Sequence, residues 1–130
     1  MPHPNHQFAR DFFAAFFAGK ITEAYFTEDM RAWTTLGPLG KTEYVTSLNR
    51  VVALFHGPAA SLKYTIDAIT AEGDRVVVEM HSTGNFSDGE PYQMTYVFVL
   101  GIRDGRVASV AEHFNPIPVL EKIFPRLEQG

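Results

Sequence analysis

YQMTYVFVLGIRDGRVASVAEHF, residues 92–114, is the stretch that decides the fold. It reads as two β-rich runs, 92–103 and 106–114, joined by Asp104-Gly105, a strong signal for a tight hairpin turn. Side chains alternate across a strand, so each run divides into two faces. In the first run Met94, Tyr96, Phe98, Leu100 and Ile102 form a more apolar set than Gln93, Thr95, Val97, Val99 and Gly101. In the second, Ala108, Val110, Glu112 and Phe114 share a face that is apolar except for Glu112. That face is expected to point into the core and to take the carboxylate with it. A buried carboxylate is costly unless it is hydrogen-bonded, paired or neutralised. Glu112 is therefore the first place to look for chemistry.

Two further β-rich runs precede the hairpin, 62–71 and 75–86, bounded by the turn signals Glu72-Gly73-Asp74 and Ser87-Asp88-Gly89. On 75–86 the even positions Val76, Val78, Met80 and Ser82 match the inner face, and Val77, Glu79, His81 and Thr83 the outer one. A bulge in any strand would invert the assignment locally. The N-terminal half is helical in character. Phe8, Phe12, Ala15 and Phe16 recur at helical spacing over 5–18, with Gly19 at the C-cap position. A short helix is expected at 22–25 and a brief strand at 30–35, ended by a turn at Gly37-Pro38-Leu39-Gly40. Thr42 is expected to cap a helix running to about Phe55, whose apolar face holds Tyr44, Val45, Leu48, Val51, Val52 and Phe55. A short final helix over 116–127 is expected above the mouth of the sheet. Helices followed by an antiparallel meander predict an α+β fold with the helices on one sheet face.

The chain of 130 residues has the size of one domain, assigned to 1–130. Hydrophobic residues make up 45% and charged residues 20%, as in ordinary globular proteins. Eleven Phe and five Tyr are more aromatic surface than a small core requires, which suggests the lining of a cavity. A net charge of −4 supplies no basic footprint for nucleic acid. The absence of cysteine excludes disulfides and Cys-based zinc sites within this chain. The start Met-Pro-His-Pro-Asn-His does not read as a signal peptide, and His3 and His6 are expected to be solvated. No apolar run reaches the ~20 residues that span a bilayer. A soluble, cytoplasmic protein is expected, without nucleic-acid or membrane partners.

The segment Phe12-Phe13-Ala14-Ala15-Phe16-Phe17-Ala18-Gly19, the strand Ala32-Trp33-Thr34-Thr35, the hairpin Tyr96–Val107 and the ending Glu112-His113-Phe114-Asn115-Pro116 together resemble the nuclear transport factor 2-like superfamily. The nearer likeness is to its SnoaL-like and ketosteroid-isomerase-like branch, and more distantly to limonene epoxide hydrolases. The resemblance implies a curved antiparallel sheet wrapped around N-terminal helices to form a cone-shaped pocket, and pairing through the outer sheet face. By that resemblance, the general base of ketosteroid isomerases falls on Thr34, their tyrosine donor on Phe12 and their second acid near Val97 or Phe98. The last acid of the epoxide hydrolase set matches Glu112, while its arginine and first acid match Met80 and Ser82, and its asparagine Thr34. Neither residue set is intact, so activity, if any, centres on Glu112.

The expected catalytic group is thus Glu112 with Thr34, Ser82 and Tyr96 as hydroxyl partners. An apolar cavity raises a carboxyl pKa toward neutrality, where proton transfer is efficient. The competing reading is a structural glutamate held by those hydroxyls or by Tyr25 or Tyr44. Phe12, Phe16, Trp33, Met80, Phe98, Val110 and Phe114 are the expected substrate contacts, with Trp33 and Tyr92 either at the pocket mouth or in a dimer contact. Glu79, His81 and His113 fall on the outer face. Their residue types suit zinc, but cross-strand or cross-dimer hydrogen bonding is the expected role, and no metal or cofactor is expected. Gly37–Gly40 lacks the spacing of a phosphate loop. Two functions remain open: an acid/base enzyme of isomerase, cyclase, dehydratase or epoxide hydrolase type acting on a hydrophobic oxygen-bearing molecule, or a non-catalytic binding or accessory domain.

Overall fold

A computed structural model describes residues 3–129; Met1, Pro2 and Gly130, the ends of the expected 1–130 domain, lie outside the described residues. Helix α1 (Pro4–Phe17) opens the chain and buries Ala9, Phe12, Phe13 and Phe16; of the expected stripe Phe12 and Phe16 are buried, while Phe8 and Ala15 are only partly so. His3 is its N-cap, with Nδ1 accepting from the Asn5 N–H at 3.1 Å, so this histidine is half-buried in a local role rather than free in solvent. A 3₁₀ turn (Glu23–Tyr25) leads into β1 (Phe26–Thr34).

The segment expected to be a turn is β2 (Gly37–Gly40), paired antiparallel with β1 from Thr34↔Gly37 to Arg31↔Gly40. Proline is tolerated because β2 is an edge strand. Helix α2 (Lys41–Ala53) follows at once. Its N-cap is Gly40, not Thr42: Glu43 Oε1 accepts from the Gly40 N–H at 3.3 Å, while the Thr42 hydroxyl donates to Glu23. The remaining strands are β3 (Ser61–Glu72), β4 (Arg75–Asn85), β5 (Pro91–Arg103) and β6 (Arg106–Phe114).

The six strands form one curved, unclosed sheet in the order β2-β1-β6-β5-β4-β3. All pairings are antiparallel except β1–β6, which is parallel and brings the first strand beside the last. The α+β fold is the one expected. Irregular pairing sets local faces in three places, one of them in β1 between Phe26 and Arg31 where it meets β6. Another, at β5–β6, leaves Ala108 outside the regular pairing between Ile102↔Val107 and Gly101↔Ser109, so Val107 is buried and Ala108 only partly so. The third leaves Asp67 between the pairs of Ile66 and Ala68.

Helix α1 packs against β3 and β4, and α2 against β1 and β2, on the inner face. The larger core cluster joins Phe12, Phe13 and Phe16 to Met80, Phe98 and Val110, with the Phe13 and Phe98 ring centroids 4.8 Å apart. A smaller cluster holds Phe55, Phe86, Tyr92, Met94 and Ile123. Ile123 comes from the C-terminal helical segment, which is longer than expected: α3 (Pro116–Pro118), a π-helical turn (Val119–Ile123) and α4 (Phe124–Gln129). Arg126 fastens this segment to the β4–β5 loop. It donates to Asp88 at 2.8 Å and Glu90 at 2.6 Å and lies 3.9 Å over the Phe86 ring. No helix among the described residues is long and apolar enough to cross a membrane.

Candidate active site

A cavity of about 300 Å³ opens between α2, the inner sheet face and the C-terminal segment. Its wall takes Phe16 and Val52 from the larger core cluster and Phe55, Tyr92 and Ile123 from the smaller one. The volume lies at the lower end of small-molecule pockets, and the mix of apolar walls and few polar groups is typical of them.

Glu112 reaches this cavity from β6 through the alternation read from the sequence. Val110 beneath it is buried, and Phe114 beyond it lines the same wall. The register Phe98↔Glu112↔Thr34 fixes it between β5 and β1. On α2, Tyr44, Leu48 and Val52 are spaced by four and share the buried face, so Tyr44 descends onto the same point. Its hydroxyl donates to Glu112 Oε1 at 2.8 Å. Among the described residues the second carboxyl oxygen, Oε2, has no hydrogen-bonding partner, and Glu112 lines the cavity.

Burial raises the Glu112 pKa to about 7, opposed by the Tyr44 hydrogen bond, which favours the carboxylate. Glu112 keeps some accessible surface because one side opens on the cavity, yet protein surrounds it closely enough for desolvation to dominate. Tyr44 is pushed well above its ordinary value, first by burial and then by the Glu112 charge, so it remains a proton donor to Glu112. Tyr92 and Tyr96 are also raised, mainly by burial, and both feel Glu112.

The other expected site residues divide. Ser82 and Tyr96 both line the cavity and hydrogen-bond to each other, Oγ to Oη, at 3.0 Å. Thr34 lines it too, but its hydroxyl donates to the Gly37 carbonyl at 2.8 Å and accepts from the Leu36 N–H at 3.1 Å, closing the β1–β2 turn. Phe16 and Phe114 are on the wall. Phe12, Met80, Phe98 and Val110 are core residues behind it, each at most 3% exposed. Trp33 is on the opposite side of the sheet, 46% exposed, with its ring centroid 4.8 Å from that of His113 in a tilted arrangement. The inner face is thicker than alternation alone conveys: residues near α1 are covered by it, and only those toward α2 and the C-terminal segment meet the cavity.

On the outer face, His81 Nδ1 lies 2.8 Å from Asp67 Oδ2, the residue displaced by the β3 bulge. Among the described residues no group of three His, Asp or Glu side chains is placed to hold a metal ion, so Glu79, His81 and His113 do not form a ligand set.

Comparison with known proteins agrees with this architecture. Residues 9–110 match the family model of the SnoaL-like domain. The chain belongs to that family, the SnoaL-like branch of the nuclear transport factor 2-like superfamily. Similar solved structures include a nuclear transport factor 2-like protein of Anabaena variabilis, at 23% identity and TM-score 0.73, covering 88% of this chain and 94% of that one. Another is AclR of Streptomyces galilaeus, a proposed hydroxylase, at 18% identity and TM-score 0.75, covering 96% of both chains. A proposed SnoaL-like polyketide cyclase of Jannaschia aligns at 17% identity and TM-score 0.74, covering 95% of this chain and 96% of that one. At such identities the likeness establishes the fold. No curated protein matches the sequence significantly.

Proposed function

We propose that the chain is a cofactor-independent acid/base enzyme acting on a hydrophobic, oxygen-bearing small molecule, with Glu112 as the group that moves the proton. The observation that carries this reading is a carboxyl held by Tyr44 through one oxygen and unpartnered at the other, facing an apolar cavity. With a pKa of about 7 both protonation states are populated near neutrality, so Glu112 can take a proton from carbon or give one to oxygen. Isomerisation, cyclisation, dehydration and epoxide opening all fit such a group. The family membership and the proposed cyclase and hydroxylase among similar structures support a catalytic reading.

The test needs no knowledge of the natural substrate. 2-Tetralone, a hydrophobic enolisable ketone, is incubated in D₂O at pD 7 and its α-deuteration followed by NMR. Exchange well above buffer is expected, and Glu112→Gln should remove on the order of 10²–10⁴ of it, the usual contribution of general acid–base catalysis. Binding of the ketone with exchange no faster than buffer, or exchange equal in Glu112→Gln, would mark the chain as a binding domain instead.

We also propose that two copies pair through the outer sheet face. The register aligns Val77, Val99, Ala111 and Trp33 in one row across four strands, the first three half-buried and Trp33 largely exposed. A continuous apolar row of this kind on an exposed sheet face favours association. Glu79, His81 and His113 border it as polar contacts.

A further inference from the structure

The cavity has a second polar point that the acid/base reading does not require. Ser82 and Tyr96 form a hydroxyl pair on its wall, one from β4 and one from β5. A pair of hydroxyls holds one proton between them and has another to donate, with lone pairs left to accept, so it can serve a carbonyl or a hydroxyl equally. It carries no charge. Burial raises the Tyr96 pKa, which keeps its proton in place.

This pair stands apart from Glu112. Phe98↔Glu112 and Tyr96↔Phe114 are the β5–β6 partners, so Tyr96 and Glu112 lie on neighbouring strands, same face, two residues out of step. Regular strand spacing separates such Cα atoms by about 8 Å. The rest of the wall is mainly apolar, with Phe16, Met94 and Phe114 among it, and its other hydroxyl-bearing residues are Thr34, Ser47 and Tyr92. Among the described residues no Lys, Arg or His lines the cavity, and Glu112 is its one carboxylate. An anionic ligand would enter without a counter-charge and against Glu112, and burying an unpaired charge is strongly unfavourable. An ammonium would face Glu112 at one end only, and that carboxyl is neutral through part of the neutral range.

We propose that the ligand is an uncharged molecule with an apolar body and two separated oxygens, one bound at Glu112 Oε2 and the other at the Ser82–Tyr96 pair. The proposal rests on Glu112 as the group that meets the substrate and adds the charge of the ligand, its two-ended polarity and the residues that read the far end. Ser82 and Tyr96 are here specificity-determining, not proton-transferring, groups.

The test is calorimetric binding at pH 6 of four compounds on one skeleton: naphthalene-2,6-diol, 2-naphthol, 6-hydroxy-2-naphthoate and 6-(aminomethyl)-2-naphthol. The diol is expected to bind about tenfold more tightly than 2-naphthol, the size of one added neutral hydrogen bond. The carboxylate and the protonated amine should bind at least tenfold more weakly than the diol. Tyr96→Phe should erase the advantage of the diol while leaving 2-naphthol affinity within about twofold, which also shows that the cavity is intact. Ser82→Ala provides a second variant with the same expected pattern. Equal or tighter binding of either charged compound overturns the proposal, as does a diol advantage that survives both substitutions, or no diol binding at all. Exchange on 2-tetralone reports separately on Glu112: loss of the binding pattern with exchange intact defeats this proposal alone, and the converse defeats only the acid/base reading.

Discussion

Glu112 couples the function of this cavity to the stability of the chain. Its carboxyl titrates near 4.5 when the chain is unfolded and at about 7 when folded. The folded state therefore binds the proton more tightly, and stability falls as pH rises from about 4.5 to about 7, levelling off above. Over that window the loss amounts to at most about 3–4 kcal/mol at 1.36 kcal/mol per unit. Glu112→Gln keeps the shape and an oxygen for Tyr44 but cannot ionise. We expect it to raise the unfolding free energy at pH 8 relative to the parent and to leave it nearly unchanged at pH 4, measured by urea titration at each pH. A parent–variant difference that does not grow with pH would show that Glu112 is not desolvated. The burial of Glu112 was legible because Val110 and Phe114 flank it at the strand period. Its partner was not: Tyr25 and Tyr44 were equally available, and only the packing of α2 across 68 residues of chain selects Tyr44.

Among the elements, those defined by local rules follow the sequence closely and those defined by pairing do not. Asp104-Gly105 places the β5–β6 turn because a left-handed conformation is needed there, with φ of 53° and 71°. The segment Gly37–Gly40 has turn composition, yet becomes β2 because β1 offers it hydrogen bonds and the Thr34 hydroxyl ties off the two-residue loop. The bulge at Ala108 likewise depends on how β5 and β6 are matched, which periodicity does not reveal. Gly84 on β4 makes the sheet's curvature testable. A Cβ there would run into the Ser61 carbonyl oxygen and press on Phe55. Backbone cannot swing aside as a side chain can, so Gly84→Ala should destabilise by about 1–3 kcal/mol, the range for overpacking. Thermal and urea unfolding check this; an unchanged midpoint would show that β3 and β4 can separate there without cost.

At the scale of the whole molecule, the sheet separates two tasks. Its inner face carries the cavity, while its outer face carries the row of Val77, Val99, Ala111 and Trp33. Trp33 sits on the outer face and not at the pocket mouth, within the surface through which pairing is proposed. Placing a charge in that row should oppose pairing without touching the cavity. Trp33→Asp is expected to shift a dimer to monomer by light scattering coupled to size exclusion, with 2-tetralone exchange per chain retained. A parent chain that elutes as a monomer at micromolar concentration would remove the pairing proposal.

The proposed activity turns on whether Glu112 is a working acid or a structural one. The most direct measurement is the titration of its side-chain carboxyl by carbon-detected NMR, assigned by comparison with Glu112→Gln. A midpoint near 7 is expected, reflecting a desolvated carboxyl with one oxygen free to the cavity. A midpoint at or below about 4.5 would contradict it and identify Glu112 as a permanently ionised, fully hydrogen-bonded structural residue.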